Sequence, residues 1–211
     1  MSAAWLALLK QHRSIAVIRA LELAVGIEMA NATAAGGMRL IEITWNSDRP
    51  HHLIQQIQND LPDCVIGAGT LRSTDEVQQA IEAGAQFLFS PHTDFSMIEA
   101  AVRREIPIVA GALTPTEIMQ AWQAGAACVK VFPIQAVGGA SYIRSLQEPL
   151  GGIPLIPTGG VTIDNAAEFI RAGAIAVGLA GQLFPKQAIE AGDWSIVEAR
   201  SKQLVENLRS V

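Results

Sequence analysis

A chain of 211 residues with 50% hydrophobic residues can bury a large core, most simply as one domain over residues 1–211. Its net charge of -5 and its lack of Lys/Arg runs argue against a nucleic-acid partner. The apolar stretches are interrupted well before membrane-spanning length, and residues 1–11 lack the form of a signal peptide. We therefore expect a cytoplasmic protein that contacts no membrane.

Short apolar runs alternate along the chain with longer segments of helical period. The predicted strands, in order, are Ile15 to Ala20, Met38 to Thr44, Cys64 to Gly69, Gln86 to Ser90, Ile106 to Gly111, Ala127 to Phe132, Ile153 to Pro157 and Ile175 to Leu179. Each repeat has the length of one strand, one helix and two short loops. Both cysteines, Cys64 and Cys128, fall in these predicted strands, where a reduced thiol behaves as an apolar group, so we expect no structural disulfide.

Eight such units predict a single-domain (β/α)8 barrel, a closed parallel sheet surrounded by helices. An extra helix is predicted before it, over Ala3 to Gln11, and another after it, over Ser195 to Leu208. A doubly wound open sheet shows the same alternation but usually has fewer strands and a distinct switch point. The barrel is the economical solution.

Every second predicted helix ends in an Ala-Gly dipeptide. These motifs are Ala35-Gly36, Ala83-Gly84, Ala124-Gly125 and Ala172-Gly173, and the helices between them stop before prolines. Glycine supplies the left-handed conformation that often ends a helix, whereas proline lacks the amide donor. The two-unit period supports a barrel built from (βα)2 quarters.

One lysine, Lys130, lies at the centre of the sixth predicted strand. A charged ammonium is costly to bury, so we expect a lowered pKa and a neutral amine, the nucleophile that forms a Schiff base with a ketone. The alternative is that Lys130 lies at the strand end, with its ammonium in water or on a carboxylate.

Active sites of (β/α)8 barrels lie at the carboxyl ends of the strands, where two more ionisable residues are predicted. Arg19 ends the first strand and can bind a carboxylate or phosphate, or form an ion pair at the rim. Glu42 lies between Ile41 and Ile43, where desolvation raises its pKa or a neighbouring cation lowers it. A lone buried glutamate is more often a structural carboxylate, but a buried Glu42 and a buried Lys130, four strands apart and both pointing into one barrel mouth, favour catalysis.

The loop after the seventh strand predicts an anion site. Gly159 and Gly160 precede a predicted helix that starts near Thr162, and backbone N–H groups before a helix bind phosphate well. Ala180 and Gly181 follow the eighth strand and are predicted to complete this phosphate-binding cradle.

Five short motifs in order carry a family resemblance: IEIT at 41–44, GAGT at 67–70, SP at 90–91, KVFP at 130–133 and PTGGV at 157–161. Together they resemble the family of 2-keto-3-deoxy-6-phosphogluconate aldolases, which also includes 4-hydroxy-2-oxoglutarate aldolases. The resemblance covers nearly the whole chain. It implies a homotrimeric barrel enzyme that uses no metal or cofactor and acts on a small 2-oxo acid through a lysine Schiff base.

The resemblance also assigns roles to residues. Lys130 matches the Schiff-base lysine and Glu42 the general acid and base. The residues implied around the substrate are Arg19, Thr70, Pro91, Phe132 and Thr158, and those implied around the phosphate are Gly159 and Gly160, beside Ala180 and Gly181.

The chain departs from the family pattern at three places. Members carry an arginine for the substrate carboxylate after the strand-two glutamate, where this chain has Trp45 and Asn46, so carboxylate binding falls to Thr70, backbone donors or Arg19. His92 stands where members have glycine after Ser-Pro. Gly181 replaces a serine, and the loss of its hydroxyl, a bond of about 1.5 to 3 kcal/mol, predicts a weaker preference for phosphorylated substrate.

The predicted reaction is cleavage of 2-keto-3-deoxy-6-phosphogluconate to pyruvate and glyceraldehyde 3-phosphate. The alternative is cleavage of 4-hydroxy-2-oxoglutarate to pyruvate and glyoxylate, with oxaloacetate decarboxylation as a side activity. Two other classes stay open. A metal-dependent aldolase needs clustered ligands, whereas the four histidines are scattered in sequence. A non-catalytic phosphate-metabolite-binding barrel would not need Lys130 opposite Glu42.

Overall fold

The computed structural model describes residues 2–211; Met1, the first residue of the predicted domain, lies outside them. Eight parallel strands run in the order β7-β6-β5-β4-β3-β2-β1-β8, and a bridge between Thr158 and Gly178 joins the two outermost strands. Their bounds are β1 Ser14–Ile18, β2 Leu40–Thr44, β3 Val65–Gly69, β4 Leu88–Phe89, β5 Ile108–Ala112, β6 Cys128–Val131, β7 Leu155–Pro157 and β8 Val177–Leu179. The predicted (β/α)8 barrel is confirmed.

Helices cover the outside of the barrel. Their bounds are α1 Ser2–His12, α2 Leu23–Ala35, α3 Pro50–Asp60, α4 Thr74–Glu82, α5 Phe95–Arg103, α6 Pro115–Gln123, α7 Ala140–Leu150, α8 Ala166–Arg171, α9 Lys186–Ala191 and α10 Trp194–Arg209, with a 3₁₀ helix over Ile134–Val137. The predicted terminal helices correspond to α1 and α10. The sequence patterns missed α9 and the 3₁₀ helix, each of which is shorter than two helical turns.

The apolar side chains form two layers. The larger layer packs between the strands and the surrounding helices, and the smaller fills the barrel interior. Helix α1 belongs to the interior layer because Trp5 stacks on Phe87 with 4.9 Å between ring centroids. The barrel is therefore packed, and α1 covers the end opposite the carboxyl ends of the strands.

The fourth strand is shorter than predicted. Pairing with β3 is partly taken over by the Gln86 side chain, whose Oε1 accepts a hydrogen bond of 2.9 Å from the Ile66 amide. At the other end Ser90 enters a turn, closed by its hydroxyl on the His92 carbonyl at 2.8 Å. Only Leu88 and Phe89 keep full strand geometry.

The predicted glycine at the end of α2 is wrong by one residue. Gly36 has φ -71°, and the left-handed conformation falls on Gly37, with φ +93°. Gly36 instead allows close helix packing, because a Cβ there would lie 2.5 Å from both Ser201 Cβ and the Glu198 carbonyl oxygen. At the other three motifs the glycine is left-handed as predicted, at Gly84, Gly125 and Gly173.

Both cysteines are free and buried, although Cys64 lies one residue before β3 rather than within it. Over residues 2–211, none of the helices combines the length and the apolar character needed to span a membrane.

Candidate active site

A cavity of about 390 Å³ opens at the carboxyl ends of the strands. All the predicted site residues line it except the catalytic Glu42. They are Arg19, Thr70, Pro91, Lys130, Phe132, Thr158, Gly159, Gly160, Ala180 and Gly181. These residues come from six different strand ends. The closed barrel brings them together at the position where such folds carry their sites.

Lys130 is the one charged side chain of β6, and it is 6% exposed. Its Nζ lies 5.0 Å from the centre of the Phe132 ring and 5.7 Å from that of Phe89, so aromatic faces surround the amine. Within residues 2–211 it makes no ion pair. The alternative of a lysine held by a carboxylate at the strand end is therefore not observed. That the amine is neutral in the working enzyme stays a prediction.

Glu42 lies on β2, with 1% of its surface exposed. The space for its carboxyl group comes from Gly69 of β3, because a Cβ at that position would be 1.7 Å from Glu42 Oε1. The GAGT motif thus ends in the glycine that admits the carboxyl group. This role of Gly69 was missed by the sequence reasoning, although the motif contained its signal.

Burial raises the pKa of Glu42 above its ordinary value of 4.5, and the positive charges of Lys130 and Arg19 oppose this shift to a smaller extent. Oε1 of Glu42 is buried without a hydrogen-bond partner in the described part of the chain. Buried polar atoms nearly always form hydrogen bonds, so an unpaired carboxyl oxygen in this barrel suggests that a ligand or a water molecule binds there.

Thr158 has the second unpaired polar atom of the site. Thr158 is buried, and within residues 2–211 its Oγ1 has no hydrogen-bond partner. The main chain of Thr158 is fixed, because its N–H donates to the Val131 carbonyl and its carbonyl accepts from the Ile134 amide, both at 3.0 Å. The main chain thus fixes Thr158 at the cavity wall, with a hydroxyl that has no bond in the described chain.

Thr70 follows β3 with φ +59°, a left-handed conformation that costs a β-branched residue about 1 to 2 kcal/mol. It is half-buried and lines the cavity. Such strain is maintained only when the surroundings impose it, and it is concentrated at functional sites. The conformation supports a role for Thr70 in substrate binding.

Arg19 is exposed at the cavity rim. Among the residues from 2 to 211 it has no carboxylate partner, so the predicted alternative of a rim ion pair is not observed. Asn46, at the position where family members have the carboxylate-binding arginine, is exposed and lies outside the set of residues that line the cavity. Arg19 is thus the guanidinium available to a substrate carboxylate.

The loop residues predicted to bind phosphate line the cavity, and the helix that follows Gly160 begins later than predicted. Thr162 and Asn165 bond reciprocally, amide to side chain, at 2.7 and 3.1 Å, as in a capping box, and the Ala166 amide donates to the Thr162 carbonyl at 3.1 Å. One turn therefore leads from Thr162 into α8. Helix α8 begins only at Ala166 and has six residues. The donors of this cradle are loop amides: in the described chain the N–H groups of Gly160 and Gly181 form no backbone hydrogen bond.

Two of the four histidines, His51 and His52, are neighbours on α3 with 4.3 Å between ring centroids, but two side chains are too few for a metal site. Among residues 2–211, no three His, Cys, Asp or Glu side chains are grouped so that they could hold a metal ion. The donor set expected of a metal-dependent aldolase is not assembled at the cavity.

Comparison with known proteins identifies the family. The family model described as KDPG and KHG aldolase, where KDPG and KHG are the phosphogluconate and oxoglutarate substrates above, matches residues 6–200 of the chain. The chain belongs to the KDPG and KHG aldolase family.

Relatives within the KDPG and KHG aldolase family match nearly the full length. The 2-dehydro-3-deoxy-phosphogluconate aldolase of Treponema pallidum is 31% identical over 94% of both chains. The KHG/KDPG aldolase of Escherichia coli K12 is 30% identical over 92% of this chain and 91% of its own. A solved KDPG aldolase from Legionella pneumophila, with pyruvate captured as a covalent carbinolamine, has TM-score 0.87, 27% identity and coverage of 94% and 97%.

Proposed function

We propose that this protein is a class I aldolase that cleaves 2-keto-3-deoxy-6-phosphogluconate to pyruvate and glyceraldehyde 3-phosphate. The main supporting observation is a buried lysine that forms no ion pair within residues 2–211, in the same barrel as a buried carboxyl group whose pKa is raised. The family and the names of its relatives support the reaction, and the covalent pyruvate adduct of the Legionella protein supports the chemistry.

The first half of the reaction forms the Schiff base. Neutral Lys130 attacks C2 of the 2-oxo acid, and Glu42 moves the protons that turn the carbinolamine into an iminium and release water. A carboxyl group whose pKa is raised by burial holds its proton more readily than an exposed one, which suits a group that must both donate and accept a proton. The aromatic faces of Phe89 and Phe132 shield the positive iminium from solvent.

The second half breaks the bond between C3 and C4. The iminium accepts the electron pair of that bond, and Glu42 takes the proton of the C4 hydroxyl as the aldehyde forms. Protonation at C3 and hydrolysis then release pyruvate and free the amine of Lys130. We assign the hydroxyl of Thr158, which has no bond in the described chain, to a substrate hydroxyl in this step.

Arg19 is the group that we assign to the substrate carboxylate. Arg19→Gln should raise KM for the 2-oxo acid by roughly tenfold or more, since a charged hydrogen bond contributes about 1.5 to 3 kcal/mol. Steady-state kinetics with pyruvate-yielding substrates measure this. The matched control is Arg49→Gln, an exposed arginine outside the cavity lining, which should leave KM unchanged. Equal KM values for both variants would move carboxylate binding to Thr70 or to the backbone.

Gly181 tests the phosphate cradle. A side chain at this position meets no atom within 4 Å, so Gly181→Ser adds a hydroxyl without a steric clash. We expect the preference for the phosphorylated substrate, as a ratio of kcat/KM values, to rise by up to about tenfold, whereas Gly181→Asp should lower it. No change in either ratio would place the phosphate elsewhere.

Gly160 is the less suitable position for that test. It has φ +100°, and a Cβ there would lie 2.3 Å from Gln135 Cβ. A substitution at Gly160 would therefore strain the loop as well as alter its charge.

The substrate itself is tested by comparing kcat/KM for 2-keto-3-deoxy-6-phosphogluconate and for 4-hydroxy-2-oxoglutarate. The proposal expects the phosphorylated substrate to be preferred, because binding energy from the remote phosphate is used at the reacting carbon. Preference for 4-hydroxy-2-oxoglutarate would replace the proposed substrate by the alternative one. If the protein cleaved neither substrate, the remaining hypothesis would be a non-catalytic barrel that binds a phosphorylated metabolite.

The homotrimer and the cytoplasmic location stay predictions from the sequence. Analytical ultracentrifugation of the purified chain measures the first.

A further inference from the structure

A second cavity, of about 490 Å³, lies at the opposite end of the barrel. The residues that line it include those immediately before β1 and β2 and the last turns of α1 and α10. It shares no lining residue with the active-site cavity. The chemistry of the aldolase reaction leaves this cavity unused.

The lining of this second cavity is strongly basic. Four of the chain's 15 Lys and Arg residues line it, namely Lys10, Arg13, Arg39 and Arg209. Within the described residues 2–211, its lining contains no Asp or Glu. Four like charges around one cavity repel one another and attract anions, although the chain as a whole is acidic.

Two of the arginines are held in place by one nitrogen each. Arg13 Nη1 donates to the Leu208 carbonyl at 3.1 Å and to a main-chain oxygen of Val211. Arg39 Nη1 donates to the carbonyls of Ala34 and Met38 at 2.8 and 2.9 Å, and the guanidinium also lies beside the Cys64 thiol.

In the described chain, the Nε and Nη2 groups of Arg13 and Arg39 donate to no oxygen. An arginine fixed by one nitrogen and free at the other two is pre-organised for the paired oxygens of a phosphate group.

A purely structural account is that these cations offset the partial negative charge of three helix ends. That account suits Arg13 and Arg39, whose bonds go to carbonyls at or near the ends of α10 and α2. Lys10 and Arg209 differ, because within residues 2–211 neither makes a hydrogen bond or an ion pair. Both lie in last helical turns, where they also offset helix dipoles, but with no bonded partner in the described chain their charged groups are available to a ligand.

We propose that this basic cavity is a binding site for a phosphorylated small molecule that carries at least two negative charges. Arg13 and Arg39 bind phosphate oxygens, and Lys10 and Arg209 supply further positive charge at the rim. The site is separate from the aldolase chemistry and does not depend on the proposed substrate.

The test uses pyrophosphate as the probe, at low and constant ionic strength. All proteins carry Gly181→Asp, so that the active-site cradle contributes as little as the chain allows. Isothermal titration calorimetry compares this parent with Lys10→Gln/Arg209→Gln and with Lys202→Gln, which removes an exposed cation of α10 outside the cavity lining.

The parent and Lys202→Gln should bind pyrophosphate equally, and the double variant at least about tenfold more weakly. Without pyrophosphate, the Tm of the double variant should equal or exceed that of the parent, because repulsion is relieved; a role confined to helix ends predicts a lower Tm. Equal affinity in all three proteins, no binding by the parent, or a lower ligand-free Tm only in the double variant would overturn the proposal.

Discussion

Lys130→Met should abolish aldol cleavage, lowering kcat/KM by at least about 10⁴-fold while the barrel stays folded. Methionine has an unbranched side chain of similar length, and its thioether packs well against aromatic rings such as Phe89 and Phe132. The variant therefore retains the packing and loses only the amine. Stopped assays for released pyruvate measure the loss, and circular dichroism verifies the fold.

Lys130→Arg is the charged counterpart of that variant. It keeps a positive charge near Glu42 but cannot supply a neutral amine, because guanidinium stays protonated. It should fail as completely as methionine. Activity within tenfold of the wild type in either variant would show that another residue is the nucleophile.

Glu42→Gln should lower kcat by roughly 10² to 10⁴ and change KM much less, because the amide keeps the shape of the carboxyl group but transfers no proton. In the wild type, the acidic limb of the kcat profile should lie above pH 4.5, the ordinary pKa of glutamate, since burial raises the pKa of Glu42. That limb should be missing from the residual activity of the variant. A change confined to KM would make Glu42 a binding residue.

Although Glu42→Gln lowers activity, it should raise the stability of the protein relative to the wild type as the pH increases. The folded protein holds the Glu42 proton more tightly than the unfolded chain, so this contribution to stability is fully present below the unfolded value of 4.5. It is lost as the pH rises through the raised folded pKa. Glutamine does not ionise, so the Tm of Glu42→Gln minus that of the wild type should increase as the pH rises above 4.5 and through the raised folded pKa. A constant difference would show that burial does not control this carboxyl group.

Much of the fold could be predicted from the sequence because its signals are local. A strand buried on both faces must be apolar for four or five residues, and the spacing of such runs leaves room for one helix. The same logic found Lys130 and Glu42, since a charged residue within an apolar run requires an explanation. Gly36 and Gly37 show the limit, because helix packing against α10, and not the local motif, decides which glycine is left-handed.

The parts that the sequence did not predict depend on contacts between distant residues. The shortness of β4 follows from the Gln86 side chain bonding a neighbouring strand. The basic cavity combines residues from both ends of the chain, such as Arg13 and Arg209. A local sequence pattern therefore cannot show that these basic residues lie around one cavity.

Reduction with borohydride in the presence of pyruvate tests the central claim most directly. If Lys130 forms the Schiff base, reduction fixes the pyruvate carbons to its Nζ, and mass spectrometry of the digested protein finds the adduct on the peptide that contains Lys130. The account predicts stoichiometric labelling at that residue and none in Lys130→Met. Labelling of another lysine, or no labelling of an enzyme that cleaves its substrate, would contradict it.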